Sequence, residues 1–182
     1  MATLAVRFGV TEETIRRDLE TLEEQGILRR TYGGAVRAGV NPVESPISRR
    51  ELEHRAEKEA IAQKAAELVE DGATLFLDAS TTALALVRAL RGKQRLTIVT
   101  NGVRAVTELA TRAGYTVIST GGLLRDSSLA FVGPLAERAV SQYHVDWVFL
   151  SCKGITVERG MTESTELEAQ LKHIMISHAD RA

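Results

Sequence analysis

Phe8-Gly9-Val10-Thr11-Glu12-Glu13-Thr14-Ile15-Arg16-Arg17-Asp18-Leu19 sets a turn ahead of a segment that carries two adjacent arginines. Gly9 supplies the permissive backbone that a turn between helices needs, and Thr11 is a good N-cap for the helix after it. Ile15, Leu19 and Leu22 then recur at helical spacing, which predicts a helix from about Thr11 to Gln25 with an inward apolar stripe. Gly26 is the expected C-terminal stop. Thr14, Arg16 and Arg17 fall off the stripe, close to the helix N-terminus, where a recognition helix meets base edges and phosphates. Residues 3–8 read as the end of a short helix with Leu4 and Ala5 inward. Downstream, Ile27-Leu28-Arg29-Arg30-Thr31-Tyr32 is apolar and then basic, and Gly33-Gly34 reads as a hairpin tip. Helix, turn, helix and hairpin together predict a winged helix-turn-helix over residues 1–37. Thr11, Thr14, Arg16 and Arg17 would lie at the groove, and Arg29, Arg30, Gly33 and Gly34 on the DNA backbone.

Composition limits the alternatives. The 182 residues are 44% hydrophobic and 26% charged, values of a globular chain rather than a disordered one. No apolar run reaches a membrane-spanning length, the start lacks a signal-peptide pattern, and the single Cys152 excludes an internal disulfide. A cytoplasmic protein without a membrane partner is expected. The net charge of −1 exerts no global pull on nucleic acid. In the first forty residues, Glu12, Glu13, Asp18, Glu20, Glu23 and Glu24 balance Arg7, Arg16, Arg17, Arg29, Arg30 and Arg37. A DNA contact must therefore be local and geometric. His54, His144, His173 and His178 form no ligand spacing, so neither a metal nor a cofactor is expected.

Beyond a linker at residues 38–55 containing Pro42 and Pro46, elements alternate over residues 56–182. Helices are predicted over 56–70, with Ile61, Ala65, Leu68 and Val69 inward, and over 84–90, 103–112, 135–142 and 166–178. Strands are predicted over 74–77, 96–99, 115–118 and 147–150. This alternation implies an α/β domain with a mostly parallel sheet, whose ligands bind beyond the carboxyl ends of the strands. Those ends carry Asp78-Ala79-Ser80-Thr81-Thr82, Thr100-Asn101-Gly102, Thr120-Gly121-Gly122 and Cys152-Lys153-Gly154. Hydroxyls and free N–H groups at a helix start make a phosphate cradle, and Asp78 could accept from sugar hydroxyls. Each piece also has a plain reading: Ser80 as an N-cap, Gly121-Gly122 as a turn, Lys172 as a solvated lysine. Convergence at one sheet edge favours a binding site.

With both halves in view, the chain resembles the DeoR family of bacterial transcriptional regulators. The resemblance rests on the opening stretch from Phe8 to Leu19, Leu28-Arg29-Arg30-Thr31-Tyr32-Gly33-Gly34-Ala35, Lys58-Glu59-Ala60-Ile61-Ala62, Leu77-Asp78-Ala79-Ser80-Thr81-Thr82, Val99-Thr100-Asn101-Gly102, Thr120-Gly121-Gly122-Leu123-Leu124 and Phe131-Val132-Gly133-Pro134. It implies a regulator, usually a repressor of sugar-metabolism genes, binding operator DNA as a dimer or tetramer. The C-terminal domain would resemble sugar-phosphate isomerases and sense a phosphorylated sugar, without being an enzyme. The effector residues implied are Asp78, Ser80, Thr81, Thr82, Asn101 and Lys172, to which the strand-end reading adds Gly121, Gly122 and Lys153. Ser80 and Ala83 depart from the family's usual glycine and hydroxyl. The chain reads as truncated at both ends, which predicts exposed faces at Ile15 and Leu22 and an open sheet edge. Two alternatives stand beside this reading: an isomerase-like enzyme using Asp78 with Glu163 or Glu168, and a subunit that does not bind DNA.

Overall fold

The computed structural model describes residues 2–25, 27–31, 34–37 and 47–182, and the chain divides into two compact units, Met1–Val43 and Glu44–Ala182. In the first unit, α1 (Ala2–Phe8) and α2 (Glu12–Glu24) are followed by β1 (Leu28–Thr31) and β2 (Gly34–Arg37). The turn forms as its residues dictate. Gly9 takes φ +65°, and the Val10 N–H closes back on the Ala5 carbonyl at 3.1 Å. Thr11 then caps α2, its hydroxyl accepting from the Thr14 N–H at 3.2 Å, and Glu12 and Glu13 complement the helix dipole. Ile15 and Leu19 are buried on Ala5, with Leu4, Leu28 and Ala35 around them.

This unit departs from the sequence pattern in two places. Ile15 is only 6% exposed and Leu22 is half-buried, because α1 covers the stripe; the large apolar residues exposed among those described in this unit are Val6, Phe8, Val10 and Ile27. Gly34 is not the hairpin tip. It pairs with Thr31 in the antiparallel register and so belongs to β2. Gly26, Gly33, Pro42 and Pro46 lie outside the described residues.

Among the described residues the second unit begins with a helix, within the segment 38–55. This helix, α3 (Ile47–Leu52), buries Ile47 and packs near α5 (Thr81–Ala89). Then α4 (Arg55–Leu68) leads to β3 (Thr74–Leu77), and α5 to β4 (Thr97–Thr100), α6 (Val103–Leu109) and β5 (Thr116–Ser119). A hairpin, β6 (Leu123–Arg125) and β7 (Ala130–Val132), precedes α7 (Pro134–Val140) and β8 (Val145–Phe149). A second hairpin, β9 (Gly154–Thr156) and β10 (Gly160–Thr162), precedes α8 (Glu166–Ser177) and β11 (Ala179–Arg181).

The central sheet has the order β11-β8-β3-β4-β5, with all neighbours parallel. Period-two alternation divides its side chains between two cores. Leu75, Leu77 and Ile98 pack with α4, α5 and α6, whereas Phe76, Val99 and Val148 pack with α7 and α8. Helix α4 turns an alanine face, Ala62 and Ala66, to the sheet layer. Ile61 and Leu68 are therefore 55% and 52% exposed, against the expectation that they point inward. Small side chains let α4 lie close to α5, which leaves the larger ones outside. Ala179–Arg181 supplies a fifth strand where the sequence pattern predicts four, so the sheet edge on that side is β11.

Candidate functional site

On α2, Thr14, Arg16 and Arg17 are all exposed on the side away from Ile15 and Leu19. The Thr14 hydroxyl lies 2.9 Å from that of Thr11. Arg16 Nη1 reaches Glu13 at 3.2 Å, an exposed pair of small energetic consequence that a phosphate can replace. Arg29 and Arg30 stand on β1 and Gly34 on β2.

In the second unit the strand order reverses between β3 and β8, so their carboxyl ends diverge and leave a crevice. A cavity of about 240 Å³ opens there. Asp78, directly after β3, is 1% exposed and fully engaged. Its Oδ1 accepts from the Ser80 N–H at 3.0 Å, and its Oδ2 from the Ser151 N–H at 2.9 Å. The Lys172 ammonium lies 3.1 Å from Oδ2 and also donates to the Ser151 carbonyl at 2.6 Å and to Glu163. Burial alone would lower the Lys172 pKa, but the Asp78 and Glu163 carboxylates outweigh it and the net shift is upward. Lys172 is thus part of a buried charge cluster and not a solvated lysine.

Ser80 caps α5, accepting from the Ala83 N–H at 3.0 Å. The first turn of α5, Thr81 and Thr82, therefore presents to the cavity the N–H groups that a helix leaves without internal partners. The β4–α6 turn reaches the same place because Gly102 has no side chain; a Cβ there would sit 3.0 Å from the Ala79 Cα. That approach brings Asn101 to the wall. Ser80, Thr81, Thr82, Asn101, Lys153 and Lys172 all line the cavity with Asp78.

Gly121 and Gly122 do not. Gly122 has φ +116°, and a Cβ on it would fall 2.7 Å from the Val132 carbonyl, so it serves the packing of the loop on β7 and α7. Glu163 and Glu168, named in the sequence only as acids for the enzyme alternative, line the cavity too. Conversely, the cavity gathers residues that sequence reasoning does not mark as site members: Arg50 and Lys58 line it from α3 and α4, and Ser128 from the other side. Lys58 also ties α3 down, its ammonium donating to the carbonyls of Arg50 and Glu53 at the helix end. Of Arg50, Lys58 and Ser128, Lys58 alone carries a sequence signal, its place in the Lys58-Glu59-Ala60-Ile61-Ala62 match.

The profile of the DeoR C-terminal sensor domain matches residues 53–182, and that of the DeoR-like helix-turn-helix domain matches residues 1–39. The chain belongs to the DeoR family. Among curated relatives, it is 48% identical over 174 residues to the uncharacterized HTH-type transcriptional regulator YulB of Bacillus subtilis, covering 96% of this chain and 67% of that protein. It is 36% identical to the putative aga operon transcriptional repressor of Escherichia coli O157:H7, covering 98% and 67%. The L-fucose operon activator of Haemophilus influenzae is also 36% identical, over 98% of this chain and 72% of that protein. This DeoR-family chain is a DNA-binding transcriptional regulator with an effector-sensing domain. Among the described residues, no helix is long and apolar enough to cross a membrane. Nor do three or more His, Cys, Asp or Glu side chains gather among them in a way that could hold a metal ion.

Proposed function

We propose that this regulator represses sugar-metabolism genes and that a phosphorylated sugar in the β3–β8 cavity controls its hold on operator DNA. The carrying observation is the pairing, in one cavity, of an anion-attracting end with hydrogen-bonding groups: the α5 N-terminus with Lys58, Lys153 and Lys172 beside Asp78 and Asn101. A phosphate suits the first, and sugar hydroxyls the second. Operator contact falls to Thr11 at the cap of α2 and to Thr14, Arg16 and Arg17 on it, with Arg29, Arg30, Gly33 and Gly34 on the DNA backbone. Residues 1–37 are the DNA-binding domain, 38–55 the connection and 56–182 the sensor. Helix α3 lies within that connection and contributes Arg50 to the cavity wall, so a bound anion competing for Lys58 acts on the segment leading to the DNA-binding unit.

The protein is cytoplasmic and acts as a dimer or tetramer on repeated half-sites. It acts as a regulator and not as an enzyme: each oxygen of Asp78 is already held by a backbone N–H group, and one of them also by Lys172, so Asp78 is not free to abstract a proton. Relatives named as a repressor and as an L-fucose operon activator support the link to sugar operons. A mobility-shift titration on operator DNA tests the whole reading. Sugar phosphates should alter retention, typically with a coupling of about 1–3 kcal/mol. Substituting Arg16 and Arg17 by Ala should lower the log–log salt slope by about 1 for each DNA phosphate that the arginine engages. Normal operator binding by that double variant would refute the proposed interface.

A further inference from the structure

One wall of the cavity is built from acceptors that the protein leaves underused. Asn101 is 5% exposed, and its Nδ2 donates to the Phe131 carbonyl at 2.9 Å. That bond fixes the amide, because only the nitrogen can face a carbonyl. Oδ1 is then buried and has no hydrogen-bond partner. Buried polar atoms in native proteins are almost always paired, so an orphan acceptor on a residue that lines the cavity marks where a donor belongs.

Glu168 stands on the same cavity, only 8% exposed, in the first turn of α8. Its Oε2 is committed, receiving Arg125 Nη1 at 2.5 Å and the Thr165 hydroxyl at 3.0 Å. Its Oε1 has a long 3.5 Å contact from the Ser128 hydroxyl. Ser128 is itself buried and lines the cavity. Arg125 offsets the Glu168 charge, so this wall suits neutral hydroxyl donors better than an ammonium group.

We propose that Asn101, Ser128 and Glu168 form a hydroxyl-reading wall that sets effector specificity, with Arg125 and Thr165 as positioning residues for Glu168. This rests on the reading of the cavity as the effector site and narrows it. The ligand is a phosphate ester of a polyol with free hydroxyls remote from the phosphate, and neither a bare anion nor an apolar phosphate ester. The phosphate goes to the α5 end, and the hydroxyls donate to Oδ1 of Asn101, to Oε1 of Glu168 and to the Ser128 hydroxyl oxygen, which keeps its lone pairs while donating to Oε1.

Calorimetric titration of the whole chain with methyl phosphate and with a panel of pentose and hexose phosphates separates the two ideas. Methyl phosphate probes the anion end alone. The wild-type chain should bind at least one sugar phosphate about tenfold or more tighter than methyl phosphate. Ser128→Ala, Asn101→Ala and Glu168→Gln should each weaken that sugar phosphate about five- to tenfold while holding methyl phosphate within about twofold. Retained methyl phosphate binding also reports an intact fold, and Ser128→Ala, the mildest change, decides if a larger one disturbs folding. Equal binding of both ligand types by the wild type, or unchanged preference in the variants, overturns the acceptor wall and leaves the phosphate site standing. Binding of no phosphate at all overturns both.

Discussion

Replacing Asp78 by Asn changes almost no volume, yet it strikes the group that joins β3, β8, α5 and α8. The carboxylate receives two backbone N–H groups, from Ser80 and Ser151, and pairs with Lys172. An amide can keep only one acceptor oxygen. If that oxygen stays with Ser151 and Lys172, the new NH2 confronts the Ser80 N–H, donor against donor. The loss is one charge-assisted bond, about 1.5–3 kcal/mol, plus part of a buried ion pair whose breaking costs about 3–5 kcal/mol. Glu163 still contacts Lys172, so only a fraction of the ion-pair cost is incurred and the total falls below the full sum, at about 3–4 kcal/mol. For a unit of this size that is a fall in Tm of roughly 10 °C. Scanning calorimetry of the wild type, Asp78→Asn, Lys172→Met and the double variant would measure it, and the cycle should give a coupling above about 1 kcal/mol. An Asp78→Asn variant as stable as the wild type to within about 0.5 kcal/mol, with additive single effects, would refute the claim that Asp78 organises the crevice.

Gly122→Ala should cost about 2–3 kcal/mol, combining positive φ with the 2.7 Å clash on the Val132 carbonyl, whereas Gly114→Ala, at φ +84° with open space, should cost about 1 kcal/mol; urea denaturation compares the two. Burial raises the Glu51 pKa, but hydrogen bonds and charge from Arg88 and Arg104 outweigh it and the net shift is below the ordinary 4.5. Its contribution is therefore present above pH 4.5 and lost as pH falls through the depressed folded value. Glu51→Gln should lower stability at pH 7 by about 1 kcal/mol and flatten the acid limb below pH 4.5, read by denaturation at stepped pH. Thr11→Ala removes the cap of α2 and should cost about 1 kcal/mol, seen as faster amide exchange in the first turn of that helix.

The local elements of this chain are legible because their signals are local. Thr11 capping a helix with Ile15 and Leu19 inward, the run Thr74–Leu77 as a buried strand and Ser80 opening a helix each depend on a few adjacent residues. The three-residue strands β6, β7, β9, β10 and β11 are too brief to carry a period, and their partners choose them. Ile61 and Leu68 face outward for a related reason: apolar spacing marks a helix, but the closeness of α4 to α5 selects its alanine face.

The same division runs through the site. Asp78, the hydroxyls at Ser80–Thr82 and Asn101 are readable as strand-end residues, because a parallel sheet places its ligands there whatever its details. That Gly122 serves packing while Arg50, Lys58, Ser128 and Glu168 line the cavity is decided only in three dimensions. Lys172 shows the reason most clearly. In the sequence it is one lysine on a helix; in the fold it is a half-buried cation held between Asp78, 94 positions earlier, and Glu163, 9 positions earlier. Sequence alone determined which segments become the longer helices and strands and which family they compose. Charge pairing across the crevice waited for the sheet order that sets β3 beside β8, since no local pattern encodes a contact that chain topology creates.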